Sequence, residues 1–377
     1  MFDVYITKSA RFLPNDPVSN DEIEERLGLI NEKASKTRRI ILRNNKIETR
    51  YYAIDKNGNK THTNAELTNL AINNLFDDRF SKKDVELITC GSSTPDLILP
   101  SLAAMVHGLF KEKNVEINSA AGCCNAGMNA LKYGFMSVRS GNSTNAVSTG
   151  SERTSSWMQS NKFEAEVDAL NQLNETPVLG FNKDFLRWML SDGAGAFLLE
   201  NKPNGPHPIK IEWMDAYSYA HELETCMYAG GDKMENGDIL PWSDYETSEW
   251  EEKSIFAIKQ DVKLLDANIL VKGAESLKLA LDKHGVSSSE IDYFLPHVSS
   301  YYFVEGLRKE MELAGVGVPK EKWFMNLNKV GNIGAAAIYV ALDELINSGK
   351  LKKGEKIMLS VPESGRFSYT YAYLTVC

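Results

Sequence analysis

The order of helices and strands predicted for the second half of the chain repeats the order predicted for the first half. Residues 64–149 are predicted to form helix, strand, helix, strand, small-residue turn, helix and strand, and residues 267–361 follow the same order. Val85 and Ile291 lie 206 residues apart, and Cys124 and Asn332 lie 208 residues apart. A nearly constant offset indicates an internal duplication. We therefore predict an α/β chain of two pseudo-equivalent halves that pack together.

The duplication also suggests where the chain divides. We expect an N-terminal half over residues 1–200 and a C-terminal half over residues 201–377. In the second half, a short strand is predicted at residues 323–326. Residues 153–190 are Asn-rich and carry several aromatic side chains, without a regular pattern. Segments of this kind often form lids or pocket walls, so we interpret them as an insertion in the first half.

Charge and cysteine content restrict the class of protein. The formal net charge is −9, which argues against nucleic acid as a partner. No stretch is long and apolar enough to span a membrane, and the first residues lack a signal-peptide pattern. The five cysteines are an odd number without framework spacing, which indicates a reducing compartment and predicts a cytoplasmic protein. Cys123 and Cys124 cannot easily turn both sulfurs onto one metal, and we expect no metal site.

Cys124 lies on a small-residue turn between a predicted strand and a predicted helix. The strand covers residues 115–118, and the apolar residues of the helix recur at helical spacing from Met128 to Val138. A helix N-terminus favours an anion, so we expect it to lower the thiol pKa and produce a nucleophilic thiolate. The alternative is a buried, inert cysteine.

Two residues of the second half could complete a site for such a nucleophile. A thiolate nucleophile needs a proton shuttle and hydrogen-bond donors for the oxyanion. His297 directly follows a predicted strand, and no other histidine does so in this way. Asn332 lies on the turn that the duplication matches to Cys124. A structural histidine and an ordinary capping asparagine remain the alternatives.

A basic segment stands out in this acidic chain. It includes Arg38, Arg39, Arg43 and Arg50. One interpretation is a solvated helix face. The other is a docking patch for a phosphate-bearing or acidic partner.

Several motifs together resemble those of a known family. Cys124-Asn125-Ala126-Gly127, Leu295-Pro296-His297 and Gly331-Asn332-Ile333-Gly334 resemble the Cys, His and Asn motifs of the β-ketoacyl-acyl-carrier-protein synthase III family, in the thiolase superfamily. Ser92-Ser93-Thr94-Pro95-Asp96 and Asp192-Gly193-Ala194-Gly195-Ala196 resemble other landmarks of that family. The resemblance covers nearly the whole chain in order, and residues 153–190 and 215–255 are its weak parts.

The resemblance implies a thiolase-like fold, layered α-β-α-β-α, and roles for individual residues. Cys124, His297 and Asn332 would be catalytic. The ungapped alignment of the helix, with Ala130-Leu131 on the family's Ala-Leu, selects Cys124 as the nucleophile and leaves Cys123 as the reserve. The backbone N–H groups of Cys124 and Gly365 would form the oxyanion hole.

Departures from the family pattern point to a specialised branch. Glu363 replaces an aromatic residue two positions before Gly365, and it could be a general base, a selector of the second substrate, or an ion-pair partner of Arg366. Leu99 occupies a position that in relatives reaches across the dimer and closes the partner's acyl pocket. We assign Leu99 and Met128 to the acyl pocket. These changes fit branches that join two acyl chains, such as the dialkylresorcinol or aryl-polyene ketosynthases.

The predicted function is therefore that of a ketosynthase. An acyl group on Cys124 would undergo Claisen-type condensation with a malonyl or β-ketoacyl thioester on an acyl carrier protein, and no metal or redox cofactor would be needed. The resemblance also implies a homodimer, and the basic segment would dock the carrier protein or a coenzyme A phosphate. The alternatives are an acyltransferase or Cys–His thioesterase, which forms no C–C bond, and a non-catalytic carrier-binding partner. A dinucleotide-dependent dehydrogenase is poorly supported, because no GxGxxG motif follows a strand.

Overall fold

The computed structural model describes residues 1–35, 37–165 and 186–377, apart from the side chain of Asn31. Residues 166–185 of the predicted insertion, and Lys36 of the basic segment, lie outside the described residues. The strands are β1 Tyr5–Phe12, β2 Val18–Ser19, β3 Thr49–Arg50, β4 Leu87–Ser92, β5 Glu116–Ala121, β6 Asn145–Glu152, β7 Gly193–Glu200, β8 Ile209–Ser218, β9 Met227–Tyr228, β10 Gly231–Lys233, β11 Ile239–Pro241, β12 Lys259–Gln260, β13 Tyr293–Pro296, β14 Lys356–Glu363 and β15 Ser368–Val376. The α-helices in the described ranges are α1 Ile23–Leu27, α2 Arg38–Asn45, α3 Asn64–Asn73, α4 Leu102–Phe110, α5 Ala126–Ser140, α6 Ser155–Met158, α7 Glu249–Glu252, α8 Val262–His284, α9 Val304–Leu313, α10 Leu327–Val330 and α11 Ala337–Asn347.

The main sheet shows the predicted duplication directly. In the described part of the chain it has nine strands, in the order β13-β14-β15-β8-β1-β7-β6-β4-β5. In sheet order, β4, β6, β7 and β1 of the first half match β13, β14, β15 and β8 of the second. The directions match as well, because β4–β6 and β13–β14 are parallel and the next two pairs in each half are antiparallel. The antiparallel pair β1–β8 joins the two halves. The counterpart of β5 is reduced to one bridge between Phe294 and Trp323, in place of the predicted strand at 323–326.

Alternating side chains of each half-sheet pack on two different helix layers. In β4, Leu87 faces the core around α5 and α11, and its neighbour Ile88 faces α3 and α4. In β14, Leu359 faces the same central core, and its neighbour Met358 faces α8 and α9. This is the period of two that a strand imposes on its side chains. The result is the predicted α-β-α-β-α layering, with α5 and α11 in the middle.

The N-terminal ends of the two central helices approach each other very closely. A Cβ atom added to Gly127 at the start of α5 would lie 2.1 Å from the carbonyl oxygen of Ala335, and one added to Gly150 of β6 would lie 2.2 Å from it. No side chain fits at such distances, so only glycine permits this packing. The Tyr339 hydroxyl of α11 donates to the Gly127 carbonyl at 2.8 Å. These contacts hold the turn that carries Asn332 against the turn that carries Cys124.

Local sequence signals set several element boundaries. Thr63 and Glu66 form a capping box at the start of α3, and α5 ends at Gly141 in a left-handed conformation with φ 83°. Within the described ranges, no helix is both long and apolar enough to cross a bilayer.

Candidate active site

One cavity collects the predicted catalytic residues of both halves. Its lining includes Cys123, Cys124, His297 and Asn332. Cys124 lies between β5 and α5, His297 directly follows β13, and Asn332 lies between α10 and α11. The loops after parallel strands meet at one edge of a sheet, and the contact between α5 and α11 joins the two half-sites. The structure therefore brings together residues that are about 200 positions apart in the sequence.

A carboxylate occupies the helix end beside the two cysteines. The Cys123 N–H donates to the Glu363 carboxylate at 2.9 Å, and the Asn125 N–H and the Ser368 hydroxyl also hydrogen-bond it. Backbone N–H groups at a helix N-terminus form an anion site. Here the anion is Glu363, at the end of β14, and not a cysteine thiolate.

The predicted low thiol pKa is therefore wrong for the substrate-free protein. Burial raises the pKa of Cys124 well above its usual range, and the negative charges of Glu363 and Glu152 raise it further. The same causes, with the neighbouring Cys124, raise the pKa of the Cys123 thiol. Burial and nearby carboxylates both disfavour a thiolate. The protein thus holds a neutral thiol in the cavity until a substrate or base removes its proton.

His297 is held as a neutral imidazole. Its side chain is almost buried, and its backbone N–H donates to the Ser360 carbonyl of β14 at 2.8 Å. Burial lowers its pKa to about 4. At neutral pH the ring therefore carries one N–H donor and no charge. Such a ring can donate a hydrogen bond to a thioester oxygen without itself being a strong base.

Asn332 is fixed by its backbone, which leaves its amide for the cavity. Its N–H donates to Met189, and its carbonyl accepts from Ser191, each at 2.9 Å. Its Oδ1 accepts from the Gly334 N–H at 3.0 Å. The Nδ2 group is then the half of the amide that can donate to a substrate. Together with His297, it supplies two neutral donors to one cavity.

Glu152 lines the same cavity and escaped the sequence interpretation. It is fully buried, and its carboxylate accepts hydrogen bonds from the Ser93 N–H and hydroxyl, the Thr94 hydroxyl and the Ala335 N–H. Burial raises its pKa. It therefore ties the end of β4 to the start of α11 and positions the turn that carries Asn332. The predicted strand ended at Thr149, and a strand three residues longer would have placed this carboxylate at the edge of the sheet.

In the loop after β14, the positions of Arg366 and Gly365 differ from those that the sequence motif suggested. Arg366 is exposed, and its Nε donates to the Leu223 carbonyl at 3.0 Å, so it is not the partner of Glu363. A Cβ atom on Gly365 would lie 3.3 Å from the Cys123 sulfur. Gly365 thus lies beside Cys123, and its role with the Cys124 N–H in an oxyanion hole stays a prediction.

The predicted acyl-pocket residues do not line the described cavity. Met128 is fully buried in the central core of α5, where it packs against apolar residues of both halves. Its assignment to the acyl pocket is therefore wrong for this cavity, because its side chain is enclosed in that core and does not line the cavity. Leu99 is 83% exposed on the loop before α4. It cannot close a pocket within its own chain, and a role at a dimer interface stays a prediction.

The predicted docking arginines separate into different environments. Arg50 is fully buried and donates to Asn20 Oδ1 at 2.7 Å and to the Trp188 carbonyl at 3.1 Å. Its assignment to a docking surface is wrong, because it is an internal tie between β3 and the chain near Trp188. Arg38 forms ion pairs with acidic residues near α1. Arg39 and Arg43 are exposed on α2.

Comparisons with known proteins point to the same family that the motifs resemble. A family model described as the C-terminal part of 3-oxoacyl-[acyl-carrier-protein] synthase III matches residues 281–369. The β-ketoacyl-[acyl-carrier-protein] synthase III of Chlorobaculum tepidum is 24% identical over 94% of both chains. That of Clostridium novyi is 27% identical over 95% of both chains. Among solved structures, AbyA1, a tetronic acid condensing enzyme, covers 99% of both chains with a TM-score of 0.77 at 18% identity, which establishes the fold.

The family match covers the segment with His297 and Asn332, and the full-length relatives extend the similarity across the cysteine turn. The structural match extends over nearly the whole chain. These findings agree with the resemblance that the motifs carry. The chain is similar over nearly its whole length to β-ketoacyl-[acyl-carrier-protein] synthase III, and it has the fold of the solved condensing enzymes.

Proposed function

We propose that this protein is a ketosynthase that joins an acyl group on Cys124 to a second, carrier-bound thioester. The observation that carries the proposal is the single cavity in which a thiol meets two neutral hydrogen-bond donors, His297 and Asn332. Neutral donors suit a thioester enolate, because they stabilise its oxygen without protonating the carbanion. The proposed chemistry needs no cofactor beyond the thioester substrates.

The reaction would take place in two steps. First, the Cys124 sulfur attacks the acyl thioester carbonyl, the carrier thiol leaves, and the thiol proton passes to the leaving sulfur. Second, the α-carbon of a malonyl or β-ketoacyl thioester attacks the acyl carbon, a C–C bond forms, and the Cys124 sulfur leaves. His297 and Asn332 would hold the enolate oxygen in this second step. With malonyl, carbon dioxide leaves the nucleophile, whereas a β-ketoacyl thioester loses an α-proton to a base.

Glu363 favours a β-ketoacyl thioester, rather than malonyl, as the nucleophile in this protein. It is a half-buried carboxylate that accepts a hydrogen bond from the N–H of Cys123, a residue that lines the cavity, and Arg366 does not neutralise it. A β-ketoacyl nucleophile needs a base for its α-proton, and Glu363 would supply it. This would place the protein with the branches that join two acyl chains, as in dialkylresorcinol synthesis.

Product analysis separates condensation from its alternatives. The protein would be incubated with an acyl thioester and with malonyl or β-ketoacyl carrier protein, and products would be identified by mass spectrometry. A ketosynthase yields a product that contains the carbon atoms of both substrates. A free acid or a transferred acyl group alone would favour the thioesterase or acyltransferase. The non-catalytic alternative predicts neither product nor alkylation of the cavity thiols.

We expect Glu363→Gln to slow condensation while acyl loading of Cys124 continues. Burial raises the pKa of Glu363, and a base acts only when ionised, so wild-type condensation should fall as the pH drops through that raised pKa. The glutamine variant should lack this acidic limb. Because the carboxylate raises the pKa of Cys124, its removal should also speed thiol alkylation at a fixed pH.

The exposed Glu321→Gln is the matched control for this variant. Loading, condensation, alkylation rate and melting temperature would be measured on both proteins. A purely structural role predicts a lower melting temperature with unchanged condensation per folded molecule. Unchanged condensation with an unchanged pH profile would remove Glu363 from the mechanism.

We propose that an acyl carrier protein docks on α2 through Arg39 and Arg43. The two residues lie four positions apart, on one helix face. Reversal of both charges should raise the KM for carrier-bound substrate several-fold, and added salt should reduce the difference. Arg50→Met should instead lower the melting temperature, because Arg50 is internal. A KM that does not respond to the double reversal would place the docking surface elsewhere.

We also propose that the protein is a homodimer that pairs through β5. This strand is an edge of the main sheet, and Ile117 on it is 39% exposed. Ile98 and Leu99 nearby are 74% and 83% exposed, and Met136 of α5 is 58% exposed. Exposed edge strands and apolar patches are typical of association surfaces. In such a dimer, Leu99 could reach the partner's cavity.

The dimer is tested by light scattering coupled to size-exclusion chromatography. Ile117→Lys should convert a dimeric wild type into a monomer, because it places a charge in the proposed contact. The control is Leu313→Lys, since Leu313 is 81% exposed on α9, away from β5. A monomeric wild type, or an Ile117→Lys dimer, would contradict the proposed pairing.

A further inference from the structure

Arg50 is a buried charge that the proposed reaction does not use. Its side chain is 0% exposed, and its guanidinium donates to Asn20 Oδ1 at 2.7 Å and to the Trp188 carbonyl at 3.1 Å. Among the described residues, its Nε has no hydrogen-bond partner and its charge has no carboxylate partner. A buried charge without an ionic partner costs free energy of folding, because it loses its hydration. Packing alone therefore does not account for an arginine at this position.

The strand that carries Arg50 runs along the segment that leads to Asn332. The Glu48 N–H donates to the Asn328 carbonyl at 2.8 Å, and the Thr49 hydroxyl donates to the carbonyl of the next residue, Lys329. These two bonds attach α10 to β3. Because α10 ends two positions before Asn332, they fix the start of the turn that carries this residue.

Arg50 also contacts the turn itself. Gly331 directly precedes Asn332 and has φ 71°, a left-handed conformation that favours glycine. A Cβ atom added to Gly331 would lie 3.0 Å from Arg50 Cβ and 2.8 Å from Ser191 Cβ. The turn is thus enclosed between Arg50 and Ser191, with no room for a side chain. A shift of either neighbour would therefore reach the backbone of Asn332.

The guanidinium reaches the same turn by a second path, through residues 188–191. It binds the Trp188 carbonyl, and the residues that follow Trp188 hold the Asn332 backbone. Met189 accepts a hydrogen bond from the Asn332 N–H, and the Ser191 N–H donates to the Asn332 carbonyl, each at 2.9 Å. Arg50 therefore supports the backbone from which the Asn332 amide projects on two sides.

We propose that Arg50 is a positioning residue for condensation, which holds the Gly331–Asn332 turn so that the Asn332 amide donates to the enolate. The inference rests on the proposed function and adds a residue that does not line the described cavity. The amide can supply its Nδ2 donor in one orientation only, because the Gly334 N–H holds its Oδ1. The rigid fork of a guanidinium suits a support of this kind.

The test separates the two steps and uses a double-mutant cycle. Acyl loading from octanoyl-coenzyme A would be measured by intact-protein mass spectrometry. Condensation would be measured as single turnover of the loaded enzyme with malonyl or β-ketoacyl carrier protein. The variants are Arg50→Met, Asn332→Ala and the combination of both. Arg26→Met is the matched control, because Arg26 is also buried but lies on α1. Melting temperatures identify the variants that fold.

Arg50→Met should slow condensation by about 10- to 100-fold while acyl loading stays normal, because a small displacement of a reacting group is costly in rate. In the Asn332→Ala background the same substitution should change condensation by less than about twofold, because the donor that Arg50 positions is already absent and coupled residues are not additive. Arg26→Met should leave the ratio of the two steps unchanged. Equal losses in both backgrounds, or normal condensation by folded Arg50→Met, overturn the inference while the ketosynthase proposal stands.

Gly331→Ala tests the same contact from the opposite side. Its methyl group would press on Arg50 and Ser191, and it should give the same selective loss of condensation. If Arg50→Met does not fold, Gly331→Ala and Arg50→Lys decide, since lysine keeps the charge but lacks the fork. Normal condensation by both of these variants overturns the inference. Wild-type protein that forms no C–C bond would overturn the proposed function, and the inference with it.

Discussion

Replacement of Cys124 by alanine is expected to abolish acyl loading, whereas replacement of Cys123 by alanine leaves most of it. Both thiols line the cavity, so position alone does not separate them. Cys124 directly precedes the N-cap of α5, and the family motif selects it. Without its sulfur there is no atom on which the acyl group can form a thioester at that position. Intact-protein mass spectrometry after incubation with an acyl thioester would show the adduct or its absence.

The two cysteine variants are each other's matched control. They differ by one position, and both remove a half-buried thiol from the same turn. Loss of packing should therefore affect their melting temperatures to a similar extent. The Cys123 N–H that binds Glu363 is a backbone group and remains in both variants. Normal loading of Cys124→Ala together with an unloaded Cys123→Ala would reverse the assignment of the nucleophile.

Replacement of His297 or Asn332 by alanine should reduce condensation by about 10²–10⁴-fold each, the range found when a positioned acid–base or oxyanion group is removed. That loss corresponds to about 3–5 kcal/mol of transition-state stabilisation. Acyl loading should continue, because both residues act on the enolate of the second substrate. Single-turnover condensation from preloaded enzyme measures this step without interference from loading.

The surface residue His221 offers a control for the histidine, because its side chain is 70% exposed. His221→Ala should leave both steps unchanged. Asn332→Asp would test the donor directly, because a carboxylate accepts hydrogen bonds at a position where we expect the amide to donate. Wild-type condensation by His297→Ala or Asn332→Ala would remove that residue from the proposed enolate site.

The fold was predictable because its signals are local or periodic. The duplication followed from element order, and neighbouring side chains of β4 and β14 face different helix layers, as the strand period requires. The strand at 323–326 was overestimated because an apolar run there packs as loop with a single bridge. The start of α3 and the end of α5 are set by residues next to each other in the sequence.

Cys124, His297 and Asn332 were identifiable because each follows a strand end or a turn, and the duplication relates the two turns. The environment of these residues was not predictable, because it depends on contacts between distant segments. The thiol pKa is set by burial and by Glu363, which is 240 residues from Cys123. Arg50 looked like its neighbours in a basic segment, and only its burial and its hydrogen bond to the Trp188 carbonyl show that it is internal.

The most direct test of the account is a chase of the acyl-enzyme. Wild-type protein would be loaded with an acyl thioester, separated from free substrate, and mixed with malonyl or β-ketoacyl carrier protein. Mass spectrometry would follow the protein adduct and the small-molecule product in the same sample. The account predicts that the acyl mass leaves Cys124 as a stoichiometric amount of C–C-joined product appears. Release of the acyl group as free acid, or its transfer to the carrier protein without a new C–C bond, would contradict it.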